Sequence, residues 1–319
     1  MILVTGATGF LGSELVRQLL LQGKPVRAIK RLTSTIPTML ASSKSVEWRD
    51  ADLLDEYALE EAMEGITEVY HCAAMVSFRK EDKKAMLRVN VEGTANLVNL
   101  CLRNNIRKLV HASSVAAVGN SKDGQLISET DPWQFSRSEN NYAISKYESE
   151  MEVFRGIAEG LSAVIVNPSI IIGRNAGSSG SGQLFNAVKS GLKFYPAGTC
   201  GLVDVEDVAA IMIRLMDSDI ETERFILNSE NISYRELLGS IAKAYGVLPP
   251  KYPLRSWMLK SGFLASAIGR FFTGRDLGIT KEISRSASKV SRYSNEKITK
   301  ALNTRFKPVS ESIMEICRA

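Results

Sequence analysis

Long apolar runs are missing: nowhere do the 319 residues approach the roughly 18 to 20 consecutive apolar side chains of a bilayer-spanning helix. The chain opens inside what reads as a core strand. No signal peptide and no integral membrane association are therefore expected, and a cytoplasmic location is. Cysteine is scarce. Cys72, Cys101, Cys200 and Cys317 have neither metal-ligand spacing nor the look of a disulfide framework, so packed, reduced thiols are expected and no metal site. There are only two histidines, His71 and His111, each within an apolar strand-like run, which argues for structural roles and against histidine chemistry. Charge of one sign prevails only at the C-terminus, where residues 251–319 hold 14 Lys/Arg against 5 Asp/Glu. Such a tail suits an anionic substrate, nucleic acid or a membrane surface, or is simply a solvated helical face; no nucleic-acid partner is expected.

What is present, at 45% hydrophobic, is enough for one large α/β domain or such a domain with a smaller companion. The first stretch carries most information. Met1 to Thr5 is a strand-length apolar run that passes into Gly6-Ala7-Thr8-Gly9-Phe10-Leu11-Gly12 and then into a helical pattern with Leu15, Leu19 and Leu20. Gly6 permits a tight reversal, Gly9 leaves the backbone open to a phosphate, and Gly12 lets helix and strand approach. The helix start would aim free N–H groups and a positive dipole end at a pyrophosphate. Taken alone, G-x-x-G-x-x-G is equally a plain βα turn.

Further strands are expected at Pro25–Ile29, Val46–Trp48, Glu68–Cys72 and Lys108–His111, with helices between them near 55–63 and 82–103. This alternation implies a parallel sheet with helices on both faces, and ligands then lie off the carboxyl ends of the strands. Gly6, Lys30, Asp52, Ala73 and Ser114 all fall at those ends. Lys30 and Arg31, about 20 residues past the glycines, suit a ribose 2′-phosphate and offer no carboxylate to a 2′-hydroxyl, so NADP is expected over NAD; two solvated charges at a strand end is the plainer reading. Asp52 either accepts from an adenine amino group or caps the next helix.

After a polar loop, Tyr142-Ala143-Ile144-Ser145-Lys146 opens a helix and puts Tyr142 and Lys146 on one face. A neighbouring ammonium favours a phenolate, so Lys146 is expected to lower the Tyr142 pKa. Ser114 is placed to hydrogen-bond the same substrate oxygen, or else Ser113 or Ser114 caps the following turn.

These elements together resemble an extended short-chain dehydrogenase/reductase: Thr5 to Gly12, Asp52-Leu53, His71 to Ala74, Asn90-Val91-Glu92-Gly93-Thr94, Ser113-Ser114, Tyr142 to Lys146 and Asn167-Pro168-Ser169, in the family's order over roughly the first 210 residues. The resemblance implies a Rossmann-type doubly wound parallel sheet, with a dinucleotide-binding domain over 1–166 and a mainly substrate-binding region over 167–319, from which a strand and helix near 201–228 return to the sheet. It implies Tyr142 as general acid/base, Lys146 as the residue that tunes it and binds the nicotinamide ribose, and Ser114 as the group polarising the substrate carbonyl. For the coenzyme it implies Gly6, Thr8, Gly9, Phe10, Leu11, Gly12, Lys30, Arg31, Asp52, Leu53, Ala73, Ala74, Asn90, Ala112, Tyr142, Lys146, Pro168, Ser169 and Ile170. A homodimer through the helices bearing Asn90 and Tyr142 is also implied.

Sugar-nucleotide dehydratases of the family place acidic residues after the serine, where this chain has Val115-Ala116-Ala117. Its epimerases commonly carry an acidic residue at the position of Lys30. The local match at Asn167 to Gly173 is to dihydroflavonol-reductase-like and hydroxysteroid-dehydrogenase-like members. The expectation is hydride transfer between NADPH and a partly hydrophobic carbonyl or alcohol, the alternatives being an NAD-bound sugar-nucleotide epimerase or dehydratase and a non-catalytic dinucleotide-binding regulator. The glycine/serine stretch 175–182 reads as a mobile loop beside the site or a linker. Asp204 and Asp207 read as capping and positioning groups, and the apolar stretches of 253–272 as a lid or a membrane-surface contact.

Overall fold

Seven parallel strands form the centre of the molecule. The computed structural model describes residues 1–119, 125–135, 140–177, 180–254 and 289–318. In chain order the strands are β1 Ile2–Thr5, β2 Val26–Lys30, β3 Val46–Asp50, β4 Glu68–His71, β5 Lys108–Ala112, β6 Ala163–Pro168, β7 Ile170–Ile172, β8 Phe194–Tyr195, β9 Thr199–Asp204, β10 Glu223–Leu227, β11 Glu230–Ser233 and β12 Tyr252–Pro253. The large sheet runs β10-β6-β5-β4-β1-β2-β3, every neighbouring pair parallel. Its order reverses between β1 and β4, so a crevice opens at the carboxyl ends of these two strands, the usual ligand position in such sheets.

The helices are α1 Phe10–Leu21, α2 Thr38–Ala41, α3 Glu56–Ala62, α4 Lys83–Leu87, α5 Gly93–Arg103, α6 Asn141–Ala158, α7 Gly182–Lys189, α8 Val205–Asp217 and α9 Tyr234–Tyr245, followed by Glu296–Leu302 and Val309–Arg318. Both sheet faces are covered, which is why the strands read as continuous apolar runs without alternation. On one face Val4, Ala28, Val110 and Val164 meet Leu15 and Leu19 of α1 and Val208 and Met212 of α8. On the other, Leu3, Ile29, Val69 and Leu109 meet Leu59 of α3, Leu97 and Cys101 of α5 and Val153 of α6. α4 and α5 are one rod joined by a π-helical turn, Arg88–Glu92, of the kind that often marks a functional position. It carries Asn90.

Two sequence expectations shift. β3 runs on past Trp48 to Asp50, and its register sets Asp50 beside Lys30 of β2. The cap of α3 is Asp55, whose side chain accepts from Ala58 N, and not Asp52, which accepts from Leu54 N within its own turn. None of the described helices is long and apolar enough to cross a membrane.

A smaller sheet, β11-β9-β7, packs with α7, α9 and the helix Val309–Arg318 around Leu202, Leu237, Ile241 and Ile313. From it α8 returns to cover the large sheet and β10 adds that sheet's seventh strand beside β6. The join is polar. Asp204 caps α8 through Glu206 N and accepts from Ser312, while Asp207 accepts from Lys307 N. Lys307 Nζ lies 2.6 Å from Glu315, 3.7 Å from Asp204 and 3.8 Å from Glu206. Residues 255–288 lie outside the described residues, and with them most of the apolar stretches read as a lid.

Lys307→Met removes the cation that these three carboxylates share and is expected to cost about 1–3 kcal/mol. A lower urea midpoint at unchanged m-value is the expected result; an unmoved midpoint would show that the cluster does not hold the C-terminal helix in place.

Candidate active site at the carboxyl edge of the sheet

The turn after β1 is set by sterics. Gly6 sits at φ +67°, and a Cβ there would lie 2.6 Å from Ala73 N; a Cβ on Gly12 would lie 2.2 Å from Gly6 O. β1, the turn, α1 and the end of β4 therefore approach only because these two positions carry no side chain. Gly9, exposed, is the N-cap of α1 and supplies no side-chain cap, and the first turn contains no carboxylate. The uncapped N–H groups that follow, at Phe10 and Leu11, and the positive dipole end are free for an anion, so the turn fits a pyrophosphate. Thr8 is half-buried in the turn, and the Phe10 ring reaches Gly173 beyond β7.

The other expected coenzyme positions surround this turn along the strand ends. Leu53 is buried against Gly93 at the start of α5, and its carbonyl accepts from Asn96. Ala73 N donates to Thr5 Oγ1, and Ala74 follows it off β4. Asn90 accepts from Met75 N and donates to Met75 O and to Ser145 Oγ, which ties the segment after β4 to α6. Ser169 N is held by Leu227 O, between Pro168 and Ile170, while its buried hydroxyl has no partner among the described residues. A polar atom left unpaired at this edge is consistent with a ligand on that side.

Lys30 is less available than the sequence suggests, because its ammonium forms an ion pair with Asp50. Arg31, exposed beside it, has no ion pair among the described residues.

Asn140 caps α6 by accepting from Ala143 N, which fixes the register of the helix. Tyr142, half-buried, stands near enough to Ser114 for the serine hydroxyl to favour its phenolate, and lies against Phe78, ring centroids 5.8 Å apart. Ser114 also accepts from Ala116 N, so it caps its turn and reaches the phenol at once. One turn along α6, Lys146 is buried and donates to Ala112 O, the last carbonyl of β5, at 2.9 Å. Burial lowers the lysine to about 8, against the opposing pull of Glu150 and Cys72. Burial pushes the Tyr142 phenol up, and the Ser114 hydrogen bond pulls it back.

Beneath the site His71 and His111 lie 4.9 Å apart, inside a buried network of Thr5, Thr94 and Ser149. Burial holds His71 near 3 and His111 well below its ordinary value, so both remain neutral, in keeping with structural roles. Next to the turn after Ser114 and the start of α6 a cavity of about 180 Å³ opens, walled by Val115, Ala116, Val118, Ala143 and Ile170 on one part and by Asn140, Thr199, Tyr234, Lys289, Ser291 and Tyr293 on another.

Three residues at the site escaped the sequence reading. Asp50 was hidden by ending β3 too early. Phe78 lies in a loop with no periodicity. Glu150 stands eight residues after Tyr142, two helical turns, and that spacing could have revealed it.

The profile of the NAD dependent epimerase/dehydratase family matches residues 2–227. Sterol demethylase protein B of Methylococcus capsulatus is 33% identical over 253 residues, 78% of this chain and 76% of that protein. A putative dihydroflavonol 4-reductase of Synechocystis is 33% identical over 261 residues, 80% of this chain and 75% of that one. Among solved structures, gox2253 superposes with TM-score 0.86 at 31% identity, covering 100% of this chain and 97% of that one. The UDP-glucose 4-epimerase of Thermus thermophilus, complexed with NAD, gives 0.79 at 25%, covering 99% and 97%.

Gly6→Ala is expected to cost about 2 kcal/mol or more, from the left-handed backbone and the clash with Ala73. Thermal melts check it; a Tm equal to wild type would mean the turn tolerates a side chain.

Proposed function

The chain belongs to the NAD dependent epimerase/dehydratase family and is an NAD(P)-dependent oxidoreductase of the extended short-chain type; on that premise we propose that it reduces an aldehyde or ketone with a partly hydrophobic body, using NADPH. The observation that carries this reading is the meeting of Tyr142 and Ser114, from different elements, one turn from a buried lysine.

The glycine turn would hold the pyrophosphate, and Lys30 and Arg31 the 2′-phosphate. When bound, the nicotinamide supplies the hydride. Ser114 holds the carbonyl oxygen, and Tyr142 gives it a proton as negative charge develops there. Lys146 keeps a positive charge behind the phenol. The one N–H it directs to Ala112 O leaves two for a ribose hydroxyl. The apolar wall of Val115, Ala116 and Val118 supports a hydrophobic substrate, as does the likeness to proteins named for dihydroflavonol and cinnamoyl-CoA reduction. One observation favours a second reading, an NAD-dependent sugar-nucleotide epimerase: the Lys30–Asp50 pair weakens the case for a 2′-phosphate.

Tyr142→Phe is expected to lower turnover by about 10²–10⁴-fold while NADPH affinity holds within about twofold. Stopped assays with a carbonyl panel and a fluorescence titration check the two halves; retained turnover would end the proposal. Asp50→Asn frees Lys30 and is expected to tighten NADPH binding by about threefold to tenfold, about 0.7–1.4 kcal/mol, with NADH unchanged. Equal effects on both coenzymes would remove Lys30 from the 2′-phosphate site.

A further inference from the structure

Glu150 is a carboxylate with no exposed side-chain surface, in the interior of the large domain, and nothing in the proposed chemistry uses it. Isolated, such a charge is costly, and most proteins avoid it. Here it is held from several sides. Asn167 of β6 donates its Nδ2 to Glu150 Oε1, and the same nitrogen donates to Ser114 O at 2.9 Å. Both neighbours are acceptors only, so the amide nitrogen must face them. Arg224 of β10 places Nη1 3.5 Å from the other carboxylate oxygen and is itself fixed by two hydrogen bonds to Glu129 O. On α6, Lys146 stands one turn before Glu150, and Tyr142 two turns before it.

One buried carboxylate thus bears directly on two of the three groups expected to act on the substrate, and on the third, Tyr142, through its neighbour Lys146. Through Asn167 it fixes the backbone of Ser114. Through space its charge acts on the ammonium of Lys146, one turn back along α6. The other titratable groups around Lys146 are His71 and Cys72 from β4 and the turn after it, His111 from β5 and Tyr142 on α6. Burial keeps both histidines neutral and pushes the Cys72 thiol up to about 12. Among the described residues, Glu150 is accordingly the one negative charge acting on the lysine at neutral pH. Burial pushes its carboxyl up, but Asn167, Arg224 and Lys146 all favour the ionised form.

We propose that Glu150 is a positioning residue: its carboxylate holds protons on the Tyr142–Lys146 pair and, through Asn167, sets the backbone that presents Ser114. This rests on the catalytic reading above. The sign of the electrostatic part does not depend on which member of the pair loses its proton first, since removing a negative neighbour makes both give up protons more readily. A purely structural carboxylate would be missed in stability but would leave the titration of the pair where it was.

The test is NMR of protein labelled with [13Cζ]tyrosine. The chain has nine tyrosines, and the Tyr142 signal is the one missing from Tyr142→Phe. In Glu150→Gln the Tyr142 titration midpoint is expected to fall by roughly half a pH unit or more. The alkaline limb of NADPH-dependent reduction, measured with the fastest carbonyl of a benzaldehyde, cinnamaldehyde and cyclohexanone panel, should fall with it. Glu150→Asp, which keeps the charge, should restore the midpoint to within about 0.3 units. If Glu150→Gln does not fold, Glu150→Gln/Arg224→Met removes both charges together, a change that buried pairs often tolerate, and a smaller fall in the same direction is expected. An unmoved midpoint in whichever variant folds overturns the proposal. Turnover that survives Tyr142→Phe would instead overturn the catalytic reading, whatever the midpoint does.

Discussion

An ammonium taken out of water at the middle of a parallel sheet requires its surroundings to be arranged for it. Lys146 is 2% exposed, and the donation to Ala112 O is possible only because α6 crosses the carboxyl end of β5 at hydrogen-bonding distance. That crossing is fixed by packing on both sides of the lysine. Val153 of α6 sits in the core between β5 and α5, and Ser145 and Ser149 bond to Asn90 and Thr94 on the neighbouring helix. Slippage of α6 by one residue would turn Lys146 into the core without an acceptor. The buried charge therefore selects one register, and the same register brings Tyr142 to Ser114.

The sheet topology supplies the second constraint. Parallel strands point all their carboxyl ends the same way, so Gly6, Lys30, Ala73 and Ser114, far apart in sequence, lie at the ends of four adjacent strands at one edge. Strand order alone does not bring β1 and β4 close enough to share a ligand. The absent side chains at Gly6 and Gly12 do that, by letting the turn and α1 lie against Ala73 and the backbone of Gly6. Fold and site here have the same cause, since the contacts that close the core on this side also expose the helix start.

Much of this was legible in the sequence because it is local. The glycine spacing, the apolar strands and the four-residue interval from Tyr142 to Lys146 are properties of short windows, and windows are what periodicity reports. What was not legible depends on neighbours from distant parts of the chain. Lys30 reads as a free cation until β3 is extended by two residues and Asp50 stands beside it. Ser114 reads as either a cap or a substrate ligand, and its oxygen serves Ala116 N while also meeting the phenol. Lys146 reads as a charge beside the phenol, and only the fold shows that one of its N–H groups is directed to a carbonyl of another element. Glu150 looks like one more charge on an amphipathic helix, and only Asn167 and Arg224, from two other strands, give it a buried partner set.

The two acidic residues that sequence reading passed over act on two of the three cations it singled out, with opposite consequences. Asp50 meets Lys30 at a partly exposed strand end, where the ion pair is worth little and a phosphate bearing more charge can displace it. Glu150 lies one turn from Lys146 with no exposed side-chain surface, so its charge is screened less than at the strand end. On the proposed reading, an exposed pair of the first kind would grade a preference between coenzymes, while a buried carboxylate of the second kind would set the pH range in which a proton is available. The same residue types in the same fold thus do different work because the dielectric around them differs. On that reading burial, more than identity, decides which carboxylate would tune binding and which would tune chemistry.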